Sequence, residues 1–173
     1  MVNIKLCMVG KFKIILVEFD KSDKMGAIGV AEGERITSAF EYATQRKLPI
    51  ILVVASSGIL VNEGTLALMQ MVKMTAAVKQ HSDMGLLYIA VITNPTLGGA
   101  SASFVPLADI IIAEKDAVYG FTGKRIIERT TCEDLPNDFQ TAEYAKLHGM
   151  VDIVADKSEI RPIILKLLQL HKR

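Results

Sequence analysis

At 173 residues the chain has room for one domain, which on folding would bury roughly two-thirds of its extended surface. Half of the residues are hydrophobic and 23% are charged, the make-up of a packed globular protein rather than a disordered one. Twenty basic residues stand against nineteen acidic ones, for a net charge of +1, which leaves no basic footprint for nucleic acid.

The mean hydropathy of +0.32 is high for so small a domain. It predicts apolar surface that a partner chain covers. Two cysteines, Cys7 and Cys132, are too few for a four-thiolate zinc site or a disulfide framework, and read as reduced thiols in a cytoplasmic protein. Lys11 and Lys13 interrupt the first apolar stretch, so neither a signal peptide nor a membrane span is expected.

In chain order, four β-branched apolar runs read as buried strands: Ile14–Phe19, Ile50–Val54, Leu87–Thr93 and Ile110–Ala113. Helical patterns lie between them. Glu32–Arg46 opens acidic and closes basic, matching the helix dipole, with Pro49 just beyond it. Glu63–Gln80 carries Leu66, Met69, Val72 and Ala76 at helical spacing, and Met69, Met71 and Met74 read as core or interface filler. A third helix is expected from about Gly98–Ser101 to Leu107. A last one spans Ser158–His171, with Pro162 tolerable only in its first turn. Alternating strands and helices predict a single α/β domain over residues 1–173 with a mainly parallel sheet.

Two places at the carboxyl ends of predicted strands break the apolar monotony. One is Ala55-Ser56-Ser57-Gly58, before the Glu63 helix; the other is Thr93–Ser101, containing Gly98 and Gly99. In open parallel sheets ligands gather beyond these strand ends. Glycine lets backbone approach a ligand closely, and unpaired N–H groups at a helix start stabilise negative oxygen. Two such donors from different loops form an oxyanion hole. The same pattern also serves as a plain tight connection, so by itself it leaves both readings open.

The segments TNPTLGGASASF (Thr93–Phe104) and GFTGKRIIERT (Gly120–Thr130) resemble the central signature of the carboxyltransferase β subunits of bacterial acetyl-CoA carboxylase. Flanking similarity runs through Gly26–Ile36, Asn62–Met71 and Leu135–Val154, in family order and across almost the whole chain. The resemblance implies a crotonase/ClpP-like α/β fold of repeated ββα units, binding an acyl-CoA. It also implies carboxyl transfer from carboxybiotin on a carrier protein to acetyl-CoA or a related acyl thioester, giving malonyl-CoA. Partners would be an α-type carboxyltransferase subunit and the biotin carboxyl carrier protein, or further copies of this chain.

On this resemblance Gly58 and Ile59 match the first glycine loop and Gly98 and Gly99 the second, donating backbone N–H groups to a thioester or ureido oxygen. Ser57, Phe121, Gly123, Lys124 and Arg125 match substrate-lining positions, with Lys124 and Arg125 available to CoA phosphate. The family has glycine where Ser57 stands, arginine where Leu60 stands and proline where Lys124 stands. Serine still supplies an N–H, whereas leucine lacks the charged donors of arginine. The zinc ribbon of the family has no counterpart in these residues, and no metal is expected. These departures keep two alternatives in view: a crotonase-like acyl-thioester decarboxylase of secondary metabolism, and a degenerate partner subunit.

The remaining polar residues have structural readings. His81, His148 and His171 are dispersed and lack ligand-spaced neighbours. No nucleophile elbow surrounds Ser56, Ser57, Ser101 or Ser103, and Ser101 reads as a helix cap. Glu63 reads equally as a general base or as a first-turn carboxylate of its own helix. The apolar set Ala102, Phe104, Val105 and Leu107 is expected at a subunit boundary, where Phe104→Asp distinguishes interface from core.

Overall fold

The computed structural model describes residues 1–20, 22 and 24–171. Its centre is a six-stranded sheet in which neighbours in sequence are neighbours in space. β1 (Val2–Val9) and β2 (Phe12–Phe19) form an antiparallel hairpin, with Val9 opposite Phe12 across Gly10-Lys11. Gly10 turns at φ +59°, a conformation that glycine reaches without a Cβ penalty. β3 (Ile50–Ser56), β4 (Tyr88–Thr96), β5 (Ile110–Glu114) and β6 (Ile153–Ala155) then add in parallel.

Parallel strands need crossovers, and helices supply them. α1 (Val30–Arg46) links β2 to β3 and α2 (Thr65–Asp83) links β3 to β4. The short α3 (Gly99–Ala102) and a 3-10 turn at Val105–Leu107 lead into β5. α4 (Lys124–Thr131) and α5 (Ala142–Leu147) precede β6, and α6 (Lys157–Leu170) closes the chain. Isolated bridges, Ile28 with Ile59 and Thr96 with Tyr119, extend the pairing beyond the strand ends.

Both faces of the central strands are covered, which explains their continuous apolar runs. On one face Ile36, Phe40, Ala43, Met74, Val78, Tyr88 and Phe104 pack into the larger core. On the other, Ile14, Ile51, Ile89 and Ile112 meet Ile164 and Leu168 of α6. Phe40 stands edge-on to Tyr88, ring centroids 5.0 Å apart, and edge-on to His81 at 5.7 Å. His81 is fully buried, its Nδ1 2.9 Å from the Thr44 hydroxyl, which itself donates to the Phe40 carbonyl. Its Nε2 lies 3.4 Å from the Leu87 carbonyl, and burial lowers the ring's pKa.

Several expectations change. β1, β6 and the helices α4 and α5 are additions to the sequence reading. The third helix stops at Ala102 and resumes only as a 3-10 turn, because Pro106 removes a donor there. Pro162 sits inside α6 rather than in its first turn. On α2 the buried face is Ala67, Met71, Met74, Ala77 and Val78, while Leu66, Met69 and Val72 are exposed. Glu63 lies in the turn before α2, and its carboxylate accepts the Val30 N–H at 2.6 Å, so it caps α1 instead of its own helix.

Phe104 and Val105 are core residues with no exposed surface, and Phe104 stacks on Phe19 at 6.3 Å. Ala102 and Leu107 alone of that set reach solvent. Phe104→Asp is therefore expected to abolish cooperative unfolding. Truncating a buried aromatic already costs about 3–5 kcal/mol, and a buried unpaired charge costs more. Leu107→Asp, on the surface, should leave the circular-dichroism melting curve within a few degrees of wild type.

Candidate functional site

The site forms where β3 and β4 end. Pairing of these strands is regular through Val54 and Ile92, then shifts so that Ser56 faces Thr96. The shift releases two backbone turns side by side. The Thr96 hydroxyl bonds the Val54 and Thr93 carbonyls at 3.0 Å each, and the Leu97 N–H reaches the Ser56 carbonyl at 2.8 Å. These bonds hold the two loops to one another.

Gly58 and Gly98 sit back to back. Gly58 has φ +111° and Gly98 φ +63°. A Cβ on Gly98 would lie 3.0 Å from the Gly58 Cα, and one on Gly58 would lie 3.3 Å from the Gly98 Cα and the Gly99 nitrogen. Both positions thus need glycine twice over, for conformation and for space. Around them lies a cavity of about 470 Å³, lined in part by Ser57, Ile59, Gly99, Met71, Ser103 and Phe121.

The N–H groups of the loops divide into two kinds. Gly58 N–H donates to the Ser56 hydroxyl (3.1 Å), Ser57 N–H to the Met25 carbonyl (3.1 Å) and Gly98 N–H to the Phe121 carbonyl (2.9 Å). These three are consumed within the fold, so the backbone donor expected of Ser57 is not directed to the cavity. Among the described residues none accepts from the N–H of Ile59 or Gly99.

Their directions follow from peptide planarity, because the C=O of one residue and the N–H of the next point opposite ways in a trans unit. The Gly58 carbonyl accepts the Ile28 N–H at 2.8 Å, which turns the Ile59 N–H away from Ile28. The Gly98 carbonyl accepts the Ala102 N–H at 3.1 Å and the Ser101 hydroxyl at 2.9 Å, which turns the Gly99 N–H away from α3. Two unpaired donors on neighbouring loops beside a cavity can bind one developing oxyanion.

No aspartate, glutamate, histidine, cysteine or lysine lines this cavity. It offers backbone donors, two serine hydroxyls and apolar walls, but no ionisable side chain. Nor do three or more metal-ligating side chains converge anywhere among the described residues.

Six of the nine expected site residues come together: Ser57, Gly58, Ile59, Gly98, Gly99 and Phe121 all line the cavity. Gly123, Lys124 and Arg125 stand apart at the start of α4. The Lys124 ammonium donates to the Leu135 and Pro136 carbonyls at 3.2 and 2.7 Å and lies 3.8 Å from Glu128, while Arg125 is exposed. Ser101 caps nothing: Gly98 is the residue before α3, and the Ser101 hydroxyl points to the Gly98 and Gly120 carbonyls. The sequence reading missed Val61, Leu68 and Met71 as walls. Their small sequence distance from Gly58 was the available signal.

Comparison with known proteins assigns the family. The carboxyl transferase domain family matches residues 9–165. This chain belongs to it. Over 165 residues it is 46% identical to acetyl-coenzyme A carboxylase carboxyl transferase subunit beta 1 of Lachnospira eligens, covering 95% of this chain and 64% of that protein. It is 44% identical to the corresponding beta subunit of Prochlorococcus marinus over 96% of this chain and 56% of that one. The chain thus spans 56 to 64% of the length of these relatives. Among solved structures, a transcarboxylase 12S hexamer superposes with a TM-score of 0.87 at 27% identity, over 96% of this chain and 33% of the other. The fold is the crotonase-like one of the carboxyl transferases, as the sequence resemblance implied. No helix among the described residues is long and apolar enough to cross a membrane.

The back-to-back glycines give a direct test. Gly98→Ala should lower stability by about 1–3 kcal/mol through its backbone conformation, with the clash against Gly58 adding to that. Gly123→Ala, where a Cβ meets nothing within 4 Å and φ is −59°, should be close to neutral. Denaturant melts of the two variants check this, and equal effects would contradict the packing described.

Proposed function

We propose that this chain is the acyl-thioester-binding, β-type part of a biotin-dependent carboxyltransferase. In this reading it transfers a carboxyl group from carboxybiotin, presented on a carrier protein, to acetyl-CoA or a related acyl-CoA, and the product is malonyl-CoA or its homologue. The observation that carries the reading is the pairing of two unpaired donors, Ile59 N–H and Gly99 N–H, with a cavity lined by no ionisable side chain. Family membership and the named relatives agree with it.

The chemistry suits that inventory. The acyl thioester loses an α-proton and its carbonyl oxygen becomes an enolate oxygen, which Ile59 and Gly99 stabilise. Carbon dioxide released from carboxybiotin leaves a ureido anion, and that anion takes the proton. The enolate carbon then bonds to carbon dioxide, so one carboxyl group moves and one proton is exchanged for it. The base belongs to the second substrate, and no side chain of this cavity has to titrate. A single oxyanion donor of this kind is worth roughly 10²–10³ in kcat.

Gly58 and Gly98 serve in this reading as the close contact that brings the two donors together. Ser57 and Phe121 shape the mouth of the cavity. Gly123, Lys124 and Arg125 position the segment after β5, with Arg125 turned out where a CoA phosphate would meet it. The partner is an α-type subunit, together with the biotin carrier. Support for a partner comes from exposed apolar residues: Val61 and Leu68, which line the cavity, and Leu66, Met69 and Val72 of α2 are all more than half exposed, an apolar surface that a lone soluble chain rarely leaves open.

The test is reconstitution. The purified chain, a candidate α-type subunit and carboxylated carrier should together convert acetyl-CoA to malonyl-CoA, with no product when this chain is omitted. Biotin-independent loss of carbon dioxide from malonyl-CoA, with no transfer, would instead establish the decarboxylase alternative. Full activity of the α-type subunit and carrier without this chain would make it a degenerate partner.

A further inference from the structure

Ser101 is a polar residue beside the second glycine loop that the reaction does not use. Its hydroxyl lies 2.9 Å from the Gly98 carbonyl and 2.7 Å from the Gly120 carbonyl. One hydroxyl proton shared between two acceptors is a three-centre bond, and these acceptors come from different segments. The second segment is firmly held. A Cβ on Gly120 would run into the Gln140 side chain at 2.3 Å, and the Gln140 amide donates to the Thr122 carbonyl at 2.7 Å. The Phe121 carbonyl, one residue on, takes the Gly98 N–H at 2.9 Å. Gly98 is therefore stitched to residues 120–121 at both its N–H and, through Ser101, its C=O.

The consequence falls on Gly99. The Gly98 C=O and the Gly99 N–H belong to one rigid peptide unit. A glycine on each side removes the Cβ barrier that would oppose rotation of that unit. Were the unit to turn over, a carbonyl oxygen would face the oxyanion in place of a donor. The Ala102 N–H alone, in a four-residue helix, is a weak restraint against this.

We propose that Ser101 is a positioning residue which locks the Gly98–Gly99 peptide plane, through its hydroxyl bridge to Gly120, so that the Gly99 N–H faces the acyl-thioester oxygen. The activity part of this proposal rests on the carboxyltransferase reading, and the conformational part does not.

Three chains decide it: wild type, Ser101→Ala and Ser101→Thr. Ser101 borders a second cavity of about 620 Å³, so the added methyl of threonine has room while its hydroxyl keeps the bridge. In the reconstituted complex, Ser101→Ala should lower kcat about tenfold or more, with KM for acetyl-CoA changed less than about threefold. This is the signature of an interaction made in the transition state. Ser101→Thr should return kcat to within about threefold of wild type. On the ¹⁵N-labelled chain alone, the Ala102 amide, which donates to the Gly98 carbonyl, should exchange with solvent about tenfold faster in Ser101→Ala, and threonine should restore its protection. Unchanged kcat in Ser101→Ala, or a threonine variant no better than alanine, would overturn the proposal. So would a lowered melting temperature with unaltered Ala102 exchange. If the wild-type complex transfers no carboxyl group, the functional reading fails, and the exchange arm still decides the role of Ser101.

Discussion

Two carbonyl groups govern the candidate site. The Gly58 C=O is held by the Ile28 N–H, and the Gly98 C=O by the Ala102 N–H and the Ser101 hydroxyl. Because each peptide unit is planar and trans, pinning these oxygens aims the Ile59 and Gly99 N–H groups without any bond to either nitrogen. The remaining structure serves this constraint. The register shift at the ends of β3 and β4 frees the loops, the contact between Gly58 and Gly98 brings them together, and the buried strands beneath supply a rigid base.

A donor pair built this way is preorganised, so little has to move when charge develops on a bound oxygen. It also explains how the cavity can dispense with an ionisable side chain. Apart from Ser57 and Ser103 its remaining walls, among them Leu68, Met71 and Phe121, are apolar, and a low local dielectric strengthens hydrogen bonds to an anion. Leu66, Met69 and Val72, on the same helix as Leu68 and Met71, are exposed. Under the proposed function α2 would carry both walls of the cavity and an apolar face for a second subunit.

Much of the architecture was legible because the central strands are buried on both faces. Runs such as Ile50–Val54 and Ile110–Ala113 have no alternation to confuse and were placed to within two residues. β1 escaped notice because it is an edge strand with Asn3, Lys5 and several exposed apolar residues, so it shows neither a continuous run nor a clean alternation. On α2 the apolar pattern misled: Leu66, Met69 and Val72 have helical spacing but face outward, since the inner face is built from smaller residues such as Ala67 and Ala77. The pairing of Gly58 with Gly98 was readable from two strand–glycine–helix patterns and the family resemblance. Which N–H groups remain free was not, because that depends on acceptors distant in sequence, such as Met25, Ile28 and Phe121. For the same reason Ser101 looked like a cap: its second acceptor, Gly120, lies on another segment.

Under the proposed function the Ile59 and Gly99 N–H groups, and not those of Gly58 and Gly98, point to the substrate oxygen. Backbone amide NMR of the ¹⁵N-labelled chain, titrated with an enolate-mimicking carboxylate analogue of acetyl-CoA, measures this most directly. A hydrogen bond to an anionic oxygen should move the Ile59 and Gly99 amide protons downfield together, while Gly58 and Gly98 keep their shifts and their slow exchange. Saturable binding that moves the Gly58 and Gly98 amides and leaves Ile59 and Gly99 in place would contradict the account.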